Sequence, residues 1–104
     1  MSTTETRIPI TFIMECVCEA VGIFPHQLTG WSRQPQEVRA RELLAVLARR
    51  HTSMSYPQIA MAMGKQPGSH SAIVSYYQRG IIRMRDDEQY RAMYDAIERE
   101  VLGT

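Results

Sequence analysis

The sequence predicts an all-α fold, a single domain of five to six helices that includes a helix-turn-helix. Three observations carry that prediction. Apolar residues recur every three to four positions along most of the chain, the period of a helix with one buried face. The helix-start pattern of a capping residue followed three positions later by Gln stands at Ser55–Gln58 and again at Asp86–Gln89. No stretch shows the strict apolar–polar alternation of a half-buried strand.

Taken in order, residues 1–8 read as a flexible N-terminus and residues 9–104 as the domain. From about Thr11, Ile10, Ile13, Met14, Val17, Cys18 and Val21 mark a first helix, and Gly22 fits its stop. Pro25 to Thr29 suits a short helical turn anchored by Leu28, and Gly30, Ser32 and Pro35 mark a loop. A long helix is expected over about Gln36 to His51, with Val38, Leu43, Leu44, Val46, Leu47 and Ala48 as its apolar face. Ser55 then caps a short helix that ends at Gly64, with Pro57 in the first turn, where a missing N–H costs nothing. Lys65-Gln66-Pro67-Gly68 is a turn, and Ser69 is the expected N-cap of a helix from His70 to about Arg85. Gly80 lies inside that helix at a cost of ~1 kcal/mol against Ala, and so marks a kink or a close helix contact. Asp86 is the expected cap of the last helix, whose stripe is Tyr90, Met93, Tyr94, Ile97 and Val101.

The formal net charge is only +1, but its distribution is uneven. No Asp or Glu occurs from Leu43 to Arg85, a run that carries Arg49, Arg50, Lys65, Arg79, Arg83 and Arg85 without a local counter-charge. Both flanks are acidic. A basic block of this kind suits a polyanion, although a merely solvated face has the same composition. Two helices joined by a glycine-containing turn, Ser55–Gly64 and then Ser69–Arg85, suit either an ordinary helix hairpin, which geometry alone favours, or a helix-turn-helix, which puts the start of its second helix into the DNA major groove. That start, Ser69-His70-Ser71-Ala72, is small and polar, with a methyl group suited to thymine.

Other classes find less support. No apolar run approaches ~18 residues, so no membrane span is expected, and the N-terminus lacks a signal-peptide pattern. Cys16 and Cys18 lie two apart, on different faces of a helix, and read as buried reduced thiols. His26, His51 and His70 are scattered, so no metal site is expected. There is no nucleophile–base arrangement and no phosphate-binding Gly-x-x-x-x-Gly-Lys-Ser/Thr loop, so neither enzyme activity, nor a cofactor, nor nucleotide binding is expected. Seven Met suggest soft core filling. Trp31 either anchors its loop on the core, the favoured reading, or is an exposed contact.

The motifs together resemble a known family. Met54-Ser55-Tyr56-Pro57-Gln58-Ile59-Ala60, then Ala62-Met63-Gly64, then His70-Ser71-Ala72-Ile73 is similar to the C-terminal DNA-binding domain of the bacterial replication initiator DnaA. That family's pattern is Leu/Tyr-Pro-Glu-Ile-Gly followed by Ala-Phe-Gly-Gly-Arg-Asp-His-Thr-Thr-Val. Upstream, Glu37-Val38-Arg39-Ala40-Arg41-Glu42 resembles Val-Val-Arg-Ala-Arg-Gln, and Leu47-Ala48-Arg49 resembles Leu-Ala-Arg/Lys. The resemblance implies a Trp-repressor-like helix-turn-helix fold. It implies that His70, Ser71 and Ala72, with Ser69 before them and Ser75 and Arg79 further along, meet the major groove. It also implies phosphate contacts from Arg49, Tyr56 and Pro57, and a minor-groove contact from Arg33. The family's guanine-reading Arg has no direct counterpart, because Lys65-Gln66-Pro67-Gly68 replaces Gly-Arg with two extra residues; Lys65 or Gln66 could substitute. Glu42 stands where the family has Gln and would repel phosphate if it faced DNA.

The function expected is double-stranded DNA binding, specific or semi-specific, by a small cytoplasmic, nucleoid-associated regulator of transcription or replication, bacterial or phage. Protein partners from the replication or transcription machinery are a further expectation. The alternative is a protein-interaction module that keeps the fold and has lost the DNA surface.

Overall fold

The computed structural model describes residues 8–103; the flexible segment expected before them lies outside the described residues, apart from Ile8, which packs against the core. Six α-helices follow one another: α1 (Ile10–Val21), α2 (Pro25–Thr29), α3 (Pro35–His51), α4 (Tyr56–Ala62), α5 (His70–Asp86) and α6 (Glu88–Leu102). A single 3₁₀ turn, Pro67–Ser69, leads into α5. No strand occurs among the described residues, so the all-α expectation holds.

The core is built around α3. Every residue from Ala40 to Ala48 is buried, because α1, α2, α4 and α5 all pack on this one helix. A helix covered on all sides has no polar face to give away, so its charged residues must be satisfied internally. Arg41 is 1% exposed and donates to the backbone carbonyls of Gln27, Leu28 and Ser32. Glu42 is fully buried and accepts from Arg83 Nε at 2.8 Å and from the Tyr90 hydroxyl at 3.2 Å. It therefore ties α3 to α5 and α6 and does not face a ligand.

Gly80 is a close helix contact. A Cβ built there would lie 2.8 Å from Val46 Cγ2 and 3.1 Å from the Glu42 carbonyl oxygen, so α5 crosses α3 at backbone distance. Gly22 ends α1 in the left-handed region at φ 85°, where its N–H reaches the Cys18 carbonyl. Cys16 and Cys18 are buried and free, and burial pushes both thiols up. Among the described residues no helix is long and apolar enough to cross a membrane.

Several expectations are corrected. The cap of α6 is Asp87, one residue after the expected Asp86: its carboxylate accepts from the Gln89 and Tyr90 N–H groups, while Asp86 is still helical and pairs with Arg85. Two adjacent acids offered two registers, and the packing of Tyr90 into the core chose one. Met93, placed on the inner stripe of α6, is 39% exposed, and Met61 is exposed as well. Arg83 and Arg85 are not uncompensated, since their partners Glu42 and Asp86 come from outside the acid-free run.

Candidate nucleic-acid interface

The helix-turn-helix is assembled by α4 and α5. Ser55 opens α4 with a complete capping box: its hydroxyl accepts from the Gln58 N–H, and Gln58 Oε1 accepts from the Ser55 N–H at 2.8 Å. After α4 the chain reverses at Gly64, at φ 77°, a conformation in which a side chain would be strained. The Lys65 N–H closes the turn on the Ala60 carbonyl.

The entry to α5 differs from the expectation. Ser69 makes no side-chain cap; its backbone sits near φ −82°, ψ 9°, already in the 3₁₀ turn. The two extra residues of the turn are responsible. Pro67 starts a tight turn in which the Ser69 and His70 N–H groups donate to the Gln66 and Pro67 carbonyls, and this holds Ser69 out of the extended conformation from which an N-cap side chain reaches the N–H groups two and three residues on. His70 and Ser71 are exposed at the first turn of α5, with Ala72 half-buried behind them and Gln66 exposed just upstream. His70 Nδ1 lies 3.3 Å from the Pro67 carbonyl. A carbonyl only accepts, so that contact puts a proton on Nδ1 and, in the neutral ring, leaves Nε2 as an acceptor.

Lys65 does not reach outward. Its ammonium donates to the Thr29 carbonyl at 2.6 Å and the Gly30 carbonyl at 3.2 Å, and lies 3.6 Å from the centroid of the Trp31 ring. Burial, with Arg41 nearby, pushes the Lys65 pKa down. Arg41 grips the same loop from the other side through Gln27, Leu28 and Ser32. The loop that carries Arg33 is thus pinned from both α3 and the helix-turn-helix turn. Trp31 is not a core anchor: it is 59% exposed, with the Lys65 ammonium on one face of its ring.

Between this loop and α5 runs a groove of about 460 Å³. Trp31, Arg33 and Val38 line one side, and Ala72, Ser75, Tyr76 and Arg79 the other; no carboxylate is among them. The predicted residues Arg33, Ala72, Ser75 and Arg79 are therefore brought together. A second group forms at the start of α4. Arg49, exposed, donates to the Met54 carbonyl, and its guanidinium stacks 4.4 Å from the Tyr56 ring centroid. Tyr56 in turn meets Tyr77 of α5 edge-on at 6.1 Å, and Pro57 follows it in the first turn.

Sequence reasoning overlooked Val38, Tyr76 and Tyr77. They stand at apolar positions of α3 and α5, which helical spacing alone assigns to the core, and they are only partly buried. The signal that could have found Trp31 is its setting, a large aromatic beside Gly30 in an otherwise polar loop. His51 pairs with Glu98 at 2.7 Å, joining α3 to α6, and His26 stacks on Phe24.

Residues 10–79 match the family model described as the bacterial dnaA protein helix-turn-helix. That span runs from the first residue of α1 through the groove-lining part of α5, and so contains every residue of the two groups just described. With the match covering well over half of its length, the chain belongs to the bacterial DnaA helix-turn-helix family of DNA-binding domains.

Proposed function

We propose that this protein is a small DNA-binding regulator of transcription or replication, acting in the cytoplasm on the nucleoid and without catalytic activity of its own. In this reading α5 enters the major groove from its first turn, and Arg33 reaches the adjacent minor groove. The observation that carries it is the groove between the two, with Arg33 and Arg79 on opposite walls and no acid lining it. His70 and Ser71 project from the exposed end of α5. With Nε2 as an acceptor, His70 suits the amino groups of adenine or cytosine. Gln66 is the better substitute for the family's missing Arg, because the Lys65 ammonium is engaged by Thr29, Gly30 and Trp31. Arg49, Tyr56 and Pro57 form a phosphate-binding group at the start of α4. The rival reading, a protein-interaction module, leaned on the missing guanine-reading Arg and on Glu42 spoiling the DNA surface; the burial of Glu42 against Arg83 and Tyr90 takes the second argument away and leaves the first.

The test is binding to duplex DNA as a function of salt. Three exposed arginines, Arg33, Arg49 and Arg79, give a log–log slope of roughly −3 at about −0.9 per phosphate. Undetectable affinity at low salt sinks the proposal. Arg33→Ala should lose most on A·T-rich flanks, where the minor groove is narrow. His70→Ala should cost ~1–3 kcal/mol of discrimination between a selected and a scrambled site.

A further inference from the structure

We propose that Trp31 is itself a DNA contact, that Lys65 is the residue that positions it, and that the groove behind it seats one sugar–phosphate strand of the duplex. The proposal rests on the DNA-binding reading above and names the part of the ligand this groove takes.

Trp31 leaves 59% of its surface in water, yet the ring is fixed by an ammonium 3.6 Å from its centroid. That ammonium is held by two backbone carbonyls, Thr29 and Gly30, on the residues just before the ring. An exposed aromatic fixed in advance has little rotamer freedom left to lose when something covers it. The occupant must match the walls. Arg33 and Arg79 supply positive charge from both sides, Ser75 a hydroxyl, and Trp31 an apolar ring whose indole N–H only donates. An anionic chain with an apolar sugar between its charges fits that pattern: phosphate oxygens meet the arginines and the indole N–H, and a deoxyribose face meets the ring. The strand between a major groove occupied by α5 and the neighbouring minor groove is the one that must cross here. Lys65 acts through the ring and the loop and does not touch DNA.

Trp31 is the only tryptophan in the chain, so its emission reports on this site alone. The full chain is titrated with a mixed-sequence duplex. Affinity is followed by anisotropy of a fluorescein-labelled strand, and Trp31 by emission and acrylamide quenching with unlabelled DNA. Binding should change Trp31 emission and protect it from acrylamide. Trp31→Ala should weaken binding about tenfold with the salt slope unchanged, and Trp31→Phe should restore part of that loss. Lys65→Met should raise acrylamide quenching of the free protein and weaken binding by a similar factor. It should add almost nothing in the double variant with Trp31→Ala, since both act through one contact. A Lys65→Met loss that multiplies with that of Trp31→Ala and lowers the salt slope by about 0.9 makes Lys65 a direct phosphate contact and overturns its positioning role. Binding by anisotropy with unchanged Trp31 emission and unchanged Trp31→Ala affinity overturns the groove while leaving the DNA-binding reading intact. No binding by the parent protein at low salt overturns both.

Discussion

Gly80→Ala tests how tightly α5 is seated on α3. In an exposed helix the change would be favourable by about 1 kcal/mol, because Ala loses less backbone entropy. Here the new Cβ would lie 2.8 Å from Val46 Cγ2 and 3.1 Å from the Glu42 carbonyl oxygen. Neither obstacle can swing aside. Val46 is β-branched, stiff at χ1 and 1% exposed, and the carbonyl belongs to the central helix. The helices must separate, and overpacking of this kind costs about 1–3 kcal/mol. With two stiff obstacles the upper end applies, so the net loss is about 2 kcal/mol. For a domain of this size each kcal/mol shifts the melting point by about 4–8 °C, which predicts a fall on the order of 10 °C. Thermal melts followed by circular dichroism measure it. Val46→Ala in the same chain should relieve the nearer clash and recover part of the loss introduced by Gly80→Ala. A melting temperature equal to or above that of the parent would refute the close-contact argument, leaving Gly80 as an ordinary helix glycine.

Three further outcomes are expected. Ser55→Ala should cost ~1 kcal/mol, because it breaks a formed capping box, whereas Ser69→Ala should stay within about 0.5 kcal/mol; equal losses in urea melts would contradict the 3₁₀ entry to α5. Arg83→Met should cost about 3 kcal/mol by leaving the buried Glu42 carboxylate with only the Tyr90 hydroxyl, and adding Glu42→Leu should recover most of it; a single variant as stable as the parent would show the pair to be idle. Burial raises the Tyr94 pKa to about 12, so the folded state holds this proton more tightly than the unfolded chain, where tyrosine titrates near 10. The stability it contributes is present below about pH 10 and is lost as pH rises towards about 12. Tyr94→Phe should flatten that alkaline decline in urea unfolding, and an unaltered slope would count against it.

The helices and their order were legible in the sequence because each carries its own local physics. Apolar spacing set the inner faces, Ser55 and Gln58 set the start of α4, and Gly22 and Gly64 set stops that only a residue tolerating positive φ can make. The motif order also carried the family, since helix, turn and second helix must keep their spacing to present one surface. Local signals failed where two registers were equally good along the chain. Asp86 and Asp87 are indistinguishable as caps until Tyr90 is buried, and Ser69 is a good cap only if the preceding turn leaves its own backbone extended. Charge was the least local property. The acid-free run looked uncompensated, yet Arg83 meets Glu42, some forty positions earlier, inside the core. Only the tertiary structure could decide that Glu42 faces inward, that Lys65 turns back onto the Arg33 loop, and that Trp31 stands in water beside α5. Each of these depends on which side chains meet across helices, and neither periodicity nor spacing along one chain encodes that.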